Sequence, residues 1–342
     1  MICGRKRKNV LDSNGVMTKH IRVAFIYPWL SSFSKNDLDM LRTNFEVIEV
    51  HFTRDLQGIL NIIKSVFKSD VSFVWFGSLH AFITVFFTKL FRKKSIVVAG
   101  GFETMYIPEI NSGMMGRPLL KYIPKLTFRF ANVVLAVSEF TKNQVLKNAK
   151  PMNIMVLYNG FDIKRFYPSG EKEDIAIMVA EISKSNLGYK RLKTFIETAK
   201  LLPDLKFILI GPYLDSTIDY LKSIAPKNIE FTNFLQYEEL LPYYQIAKVY
   251  VQISAVESFG CALSEAMLCE CVPVVTNRGA LPEVVGDTGF YVPCDDPKAT
   301  AESIKKALCS DGSKSRKRIL KLFPINNREN KLIDIIKECC NV

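Results

Sequence analysis

Residues 251–283 read VQISAVESFGCALSEAMLCECVPVVTNRGALPE. The run Val249 to Ile253 has the length and apolar character of a buried strand. A polar turn, Ala255-Val256-Glu257-Ser258, follows it. Cys261 to about Glu270 reads as a helix, and Val272 to Thr276 as a second buried strand. Strand, turn, helix and strand in this order form the repeating unit of a parallel α/β sheet. Gly260 stands where the helix begins, so the backbone there can come close to a ligand. The first N–H groups of such a helix point out of the carboxyl end of the sheet, where open α/β sheets bind ligands and where anions are favoured.

Two carboxylates stand in this stretch, Glu257 before the helix and Glu265 eight positions later inside it. Glu257 reads equally well as a solvated loop residue. Glu265 has Ala262, Leu263, Ala266, Met267 and Leu268 as neighbours, so its helix is apolar nearly all round and expected to be buried. A carboxylate there needs a partner. No basic residue lies one turn away on either side, which leaves a group from elsewhere in the fold or a ligand. An ionised carboxylate only accepts hydrogen bonds and takes two hydroxyl hydrogens at once. A ribose diol or a sugar ring offers that pair.

The run Glu257-Ser-Phe-Gly-Cys-Ala-Leu-Ser-Glu265, followed by Pro273-Val-Val and by Gly279-Ala-Leu-Pro-Glu283, resembles the E-x7-E region of retaining family-four glycosyltransferases. Gly289-Phe-Tyr-Val-Pro293 is similar to the family's next segment, and Asn159-Gly-Phe-Asp162 to its interdomain N-G-x-D. The likeness is strong from about Ser138 to Leu308, weaker before Ser138, and closest to archaeal-type members. It implies the α/β fold called GT-B: two Rossmann-like doubly wound domains facing a central cleft, with a C-terminal helix crossing back to the first domain. The chain then divides into a basic tail (1–20), an acceptor domain (21–160), a nucleotide-sugar donor domain (161–323) and the crossover helix (324–342).

Composition agrees with two ordinary domains. The chain has 342 residues and is 48% hydrophobic, which excludes a disordered protein. Its formal charge of +12 is unevenly placed: residues 1–150 hold 22 Lys and Arg against 10 Asp and Glu, while the remainder is neutral. The basic half points to an anionic partner, such as a membrane surface, an anionic lipid carrier or nucleic acid. The eight cysteines include no C-x2-C pair and only three histidines accompany them, so free thiols in a reducing cytosol are expected, with no resident metal. No apolar run follows Arg5-Lys-Arg-Lys8, so residues 1–20 are expected to be a mobile tail and not a secretory signal.

Along the chain, strands and helices alternate, which predicts two doubly wound layers. Residues 77–91 (GSLHAFITVFFTKLF) form the most apolar helix. A crossover helix explains it better than a transmembrane span, because Gly77-Ser78 breaks it from the preceding strand and Lys89 lies within it. Its exposed face could still dip into a bilayer surface. Arg117, Lys121, Lys125 and Arg129 recur every fourth residue and predict one basic helical stripe, either a solvated face or a peripheral membrane or anionic-acceptor face.

The resemblance also implies roles. The enzyme would be a metal-independent retaining hexosyltransferase without a cofactor. It would take sugar from a UDP- or GDP-linked donor and pass it to a glycan, lipid-linked or other acceptor, in the cytoplasm or peripherally on the cytoplasmic face of the membrane. Glu265 would take the ribose hydroxyls and Glu257 a hydroxyl of the transferred sugar. Lys190 and the backbone N–H groups of Phe259, Gly260, Cys261, Ala262 and Leu263 would neutralise the leaving diphosphate. The segment 181–192 resembles the family's phosphate loop, G-R-x-x-x-x-K-G. Lys190 matches its lysine, but Ala180 replaces the glycine and Glu181 the arginine. A glutamate cannot bind a diphosphate, which makes Lys184 or Arg191 the candidate replacement. The usual N-terminal glycine-rich loop is replaced by Trp29-Leu-Ser-Ser-Phe-Ser-Lys35. Glu103, after Gly100-Gly101-Phe102, is the candidate for touching the acceptor, with a plain loop carboxylate as the alternative. The leaving phosphate itself would take the acceptor's proton. Three rivals stand beside this reading: a nucleotide-sugar epimerase of the same fold, a catalytically impaired nucleotide-binding relative, and a nucleic-acid binder. The last lacks the interleaved aromatic and basic residues of single-strand platforms.

Overall fold

The structure, a computed structural model, describes residues 9–11, 17–19 and 21–341. It divides into two compact units. The first contains the chain up to residue 107, residues 113–157 and the chain from 326 onwards; the second contains 108–112 and 158–325.

In the first unit β1 (Asn9–Leu11) and β2 (Met17–Lys19) pair antiparallel. Residues 1–20 therefore contain a small paired element where a tail is expected; the basic run 5–8 lies outside the described residues. The main sheet has six strands: β3 (Arg22–Tyr27), β4 (Glu46–His51), β5 (Val71–Trp75), β6 (Lys94–Ala99), β7 (Val133–Ala136) and β8 (Ile154–Val156). They lie in the order β4-β3-β5-β6-β7-β8, all parallel. Strands covered on both faces need continuous apolar runs, and β5 and β7 are buried at every position. The last helix, Ile325–Cys340, seals the unit with fully buried Leu332 and Ile336.

Local chemistry sets where two helices start. The first helix runs Ser32–Asn44, and Ser31 and Ser34 cap it reciprocally. Ser31 is thereby committed to the backbone. The helix carrying the basic stripe begins only at Tyr122 and runs to Phe130. Arg117 is extended ahead of it, as expected of a residue that precedes proline, here Pro118. One helix therefore does not carry all four basic residues.

The second unit is built on β9 (Glu173–Val179), β10 (Lys206–Ile210), β11 (Ile229–Thr232), β12 (Ala247–Gln252), β13 (Val272–Thr276) and β14 (Phe290–Val292). Their order is β11-β10-β9-β12-β13-β14, all parallel. Numbered from β9, this is 3-2-1-4-5-6, the dinucleotide-binding order, in which the direction of winding reverses between the first and fourth strands. Helices 192–200, 217–224 and 297–308 pack on it, with Phe195, Phe207 and Ile304 buried in the core.

Candidate active site

Between β9 and β12 lies the strand-order reversal of the second unit, and both candidate motifs leave the sheet there. β9 runs out at Val179 into 180–191. β12 runs out at Gln252 into the turn that carries Glu257. The Glu257 turn is pinned by its backbone: Ala280 N–H donates to Glu257 C=O at 2.8 Å. Gly279 has φ +64, and a Cβ on it would stand 2.1 Å from that carbonyl oxygen, so glycine is required.

The segment after β9 contains a short helix, Lys184–Tyr189, where the sequence suggests only a loop; Ser183 caps it by accepting from Asn186 N–H at 3.3 Å. Lys190 follows immediately. Its Nζ lies 2.6 Å from Glu257 Oε1. The residue expected on the diphosphate and the residue expected on the sugar are thus one ion pair in the free protein, 67 positions apart in sequence. Gln252 Nε2 donates to the same Oε1 at 2.7 Å. Glu257 is 8% exposed and so is not a solvated loop residue.

The helix after Glu257 is Cys261–Leu268. Gly260 caps it with φ +100, which a side-chain-bearing residue adopts only under strain. The helical ladder starts with Ser264 N–H on Gly260 C=O at 3.0 Å, so the N–H groups up to Leu263 precede it. Phe259 and Leu263 offer the site only backbone, since both side chains are buried. The Phe259 ring packs against Tyr158, Phe161 and Phe323. Cys261 is half-buried, and its Sγ accepts from Asn159 Nδ2 at 3.4 Å. The Asn159 Oδ1 is buried without a donor among the described residues.

Glu265 finds the partner that its own helix cannot supply. The Tyr244 hydroxyl donates to its Oε2 at 3.3 Å. Burial pushes its carboxyl up to about 7; the Tyr244 hydrogen bond and the charge of Arg165 offset part of that. Tyr244 and Arg165 carry no legible signal for this role, since each belongs to an aromatic cluster and is 21 and 100 positions away.

The remaining candidates are placed differently. Lys184 is exposed at the start of its helix, and its N–H donates to Asp215 Oδ2 at 2.9 Å. Arg191 sits in the left-handed region (φ 54) and pairs with Asp295 at 3.5 Å and Glu109 at 3.8 Å. Glu109 also pairs with Arg278 at 2.7 Å. Glu181 is exposed. In the first unit, Glu103 is 2% exposed, and its Oε1 accepts from Gly100 N–H at 2.8 Å and Gly77 N–H at 3.3 Å. Burial raises its pKa against these hydrogen bonds. In this state its carboxylate ties two strand ends together. His80 is buried and bonded to Trp75 C=O at 2.7 Å, with its pKa lowered by burial to about 4, a packing role.

Residues 161–321 match the family profile described as Glycosyl transferases group 1. These residues form a domain similar to the group 1 glycosyltransferases. The chain is 29% identical over 197 residues to the alpha-monoglucosyldiacylglycerol synthase of Acholeplasma laidlawii, covering 46% of this chain and 48% of that protein. It is 23% identical over 240 residues to the O-antigen chain mannosyltransferase RfbU of Salmonella typhimurium, covering 67% of this chain and 65% of that one. The chain thus spans between about half and two thirds of these relatives. The structure superposes on Anabaena HepE in complex with UDP and glucose with a TM-score of 0.77, at 15% identity, covering 93% of this chain and 100% of the other. The fold is that of the GT-B glycosyltransferases, with a parallel six-stranded sheet in each unit.

Proposed function

We propose that the protein is a retaining glycosyltransferase that uses a UDP- or GDP-linked hexose without a metal ion. The observation that carries this reading is the meeting of Lys190, Glu257 and the first turn of helix 261–268 at the strand-order reversal of the group 1 domain. Glu265 receives the ribose hydroxyls. The helix start and Lys190 stabilise the charge that grows on the leaving diphosphate, the main electrostatic task of the reaction. Glu257 receives a hydroxyl of the sugar, and the leaving phosphate takes the acceptor's proton. Glu103 touches no acceptor while its carboxylate holds Gly77 and Gly100; it positions that loop. The replacement of the loop arginine by Glu181 leaves Lys190 as the principal cation at the phosphates, with exposed Lys184 as a second. Thermal-shift measurement with nucleoside diphosphates and their sugars tests this, because a ligand bound only by the native state raises the melting temperature. A flat response to UDP, GDP and their hexose derivatives would overturn it.

The same reading separates nucleotide from sugar. Glu257→Gln is expected to leave the affinity for free nucleoside diphosphate nearly unchanged while lowering turnover of the full donor. Equal losses in both would show that the roles are misassigned.

The acceptor or its carrier lies at an anionic membrane surface. Helices 56–68, 79–90 and 122–130 pack side by side in the first unit. They expose Phe67 (66%), Phe86 (57%) and Phe130 (47%), and Leu119 (82%) precedes the third. Residues 56–68, 79–93 and 114–130 hold nine Lys and Arg and no Asp or Glu. Apolar side chains among basic residues alone match an anionic bilayer, each cation near it contributing about 1 kcal/mol. Among the described residues no helix is long and apolar enough to cross a membrane, so the face would lie on the surface. Co-sedimentation with phosphatidylglycerol vesicles is expected at low salt, to fall steeply at high salt, and to be weakened by Lys121→Glu with Lys125→Glu. Equal binding by the variant would reduce the face to a solvated one and make the acceptor a soluble molecule.

A further inference from the structure

Gln252 is the last residue of β12, a strand otherwise filled with Val249, Tyr250 and Val251. It is 5% exposed, and a buried amide is costly unless its donors and acceptor are met. Its Nε2 is well used: it donates to Glu257 Oε1 at 2.7 Å and reaches Ser254 Oγ at 3.4 Å. Its Oε1 is buried with no donor among the described residues. The Glu257 carboxylate fixes which end of the amide faces it, since only the NH2 group can donate to an oxygen that is itself an acceptor.

The carboxylate is correspondingly one-sided. Both of its hydrogen bonds among the described residues, from Gln252 and from Lys190, fall on Oε1. Lys190 is the less dependable of the two. It carries a mobile charge on a flexible stem, and a doubly charged diphosphate arriving beside it draws that charge away from Glu257. The neutral amide of Gln252 feels no such pull.

We propose that Gln252 is the positioning residue for Glu257 in sugar recognition: its N–H holds Oε1 when Lys190 turns to the diphosphate, leaving Glu257 Oε2 and its own carbonyl to accept sugar hydroxyls. This rests on the glycosyltransferase reading above. It assigns the discrimination between nucleotide and nucleotide-sugar to a pair of acceptors, one charged and one neutral, side by side at the end of β12. An acceptor pair of this kind selects a sugar that presents two hydroxyl hydrogens to it, and rejects a deoxy sugar because one buried acceptor would then stay unpaired.

The test is calorimetric and needs no acceptor. Dissociation constants are measured for UDP and GDP and for UDP-glucose, UDP-N-acetylglucosamine, UDP-galactose and GDP-mannose, and the readout is the ratio of each nucleotide to its sugar. Gln252→Leu is expected to keep the nucleotide constants within about twofold and to lose about tenfold or more of the best sugar ratio, the range for a hydrogen bond to a charged group. Gln252→Glu keeps the shape but sets two carboxylates together, facing Lys190 and the Tyr189 phenol. Its sugar ratio is expected to collapse near neutral pH and to recover toward about pH 5, as the pair takes up a shared proton and regains a donor. A purely structural Gln252 gives no such recovery. A wild-type ratio retained by Gln252→Leu, equal loss of nucleotide and sugar, or a wild type to which sugar adds nothing overturns the assignment alone. A wild type that binds none of these nucleotides overturns the glycosyltransferase reading and this inference with it.

Discussion

Replacing Asp37 by alanine is expected to destabilise the first unit by about 3–5 kcal/mol, the cost of leaving one member of a buried ion pair without its partner. Asp37 is 0% exposed and Arg328 3%. The guanidinium meets the carboxylate in a two-point fork, Nε to Oδ1 at 2.6 Å and Nη2 to Oδ2 at 2.7 Å. Its third nitrogen donates to Leu157 C=O at 2.8 Å, and Trp75 Nε1 donates to Asp37 Oδ2 at 3.0 Å. Removing Asp37 therefore strands a cation and an indole N–H in the core and loosens the last helix from the sheet. The chain's two tryptophans, Trp29 and Trp75, both lie in this unit, so denaturant unfolding followed by tryptophan fluorescence reports on it selectively. Asp37→Leu combined with Arg328→Met should recover part of the loss, since an apolar pair of similar volume leaves no buried charge unpaired and only the Trp75 N–H and the Leu157 C=O lose these partners. An unchanged midpoint in Asp37→Ala would show that the pair contributes nothing.

Glu265→Ala is expected to weaken nucleoside diphosphate binding by about 1.5–3 kcal/mol, roughly ten- to a hundredfold. In the proposed donor site the ribose hydroxyls would donate to the ionised carboxylate, whereas burial holds that carboxyl near 7 in the free protein. Ligand must therefore expel a proton below about pH 7. Hydroxyl donors lower the pKa in the complex, so affinity should rise as pH climbs through 6 to about 7 and then level off. The groups around Glu265 are Tyr244, Tyr250 and Arg165. Both tyrosines are raised above their ordinary range by burial and stay neutral here. Titration of the diphosphate itself is common to all variants, and Glu265→Gln, which cannot ionise, should show only that part. The linkage also acts on the fold: a carboxyl raised from 4.5 to about 7 makes the native state the better proton binder between those values, so this residue's contribution to stability falls as pH rises through that window. Calorimetry at several pH values settles the binding claim. Identical pH slopes for wild type and Glu265→Gln would remove Glu265 from the nucleotide site.

Much of this was legible because it is local. Strand 272–276 follows from a run of apolar residues, and its observed span matches the reading to the residue. The glutamate pair and its glycine were legible for the same reason: turn, helix start and spacing are set within nine residues. The loop after β9 was not, because Ser183 capping a short helix is a small effect that competes with many equivalent alternatives. The basic stripe was misread because the spacing of charges is helical while Pro118 interrupts the backbone beneath it.

By itself, then, the sequence determined the alternation of strands and helices, the family signature and the charge imbalance, all of which depend on neighbours in the chain. Tertiary structure alone decided the partners. Lys190 reaches Glu257 only because β9 and β12 are adjacent in the sheet. Asp37 meets Arg328 across 291 positions only because the last helix returns to the first unit. Glu103 lies buried between two strand ends because its loop folds back onto Gly77 and Gly100. A charge in a sequence states what it can bond. Which groups come within 3 Å of it, and how much water is left there, is set by packing between segments whose separation along the chain carries no information about their distance in space.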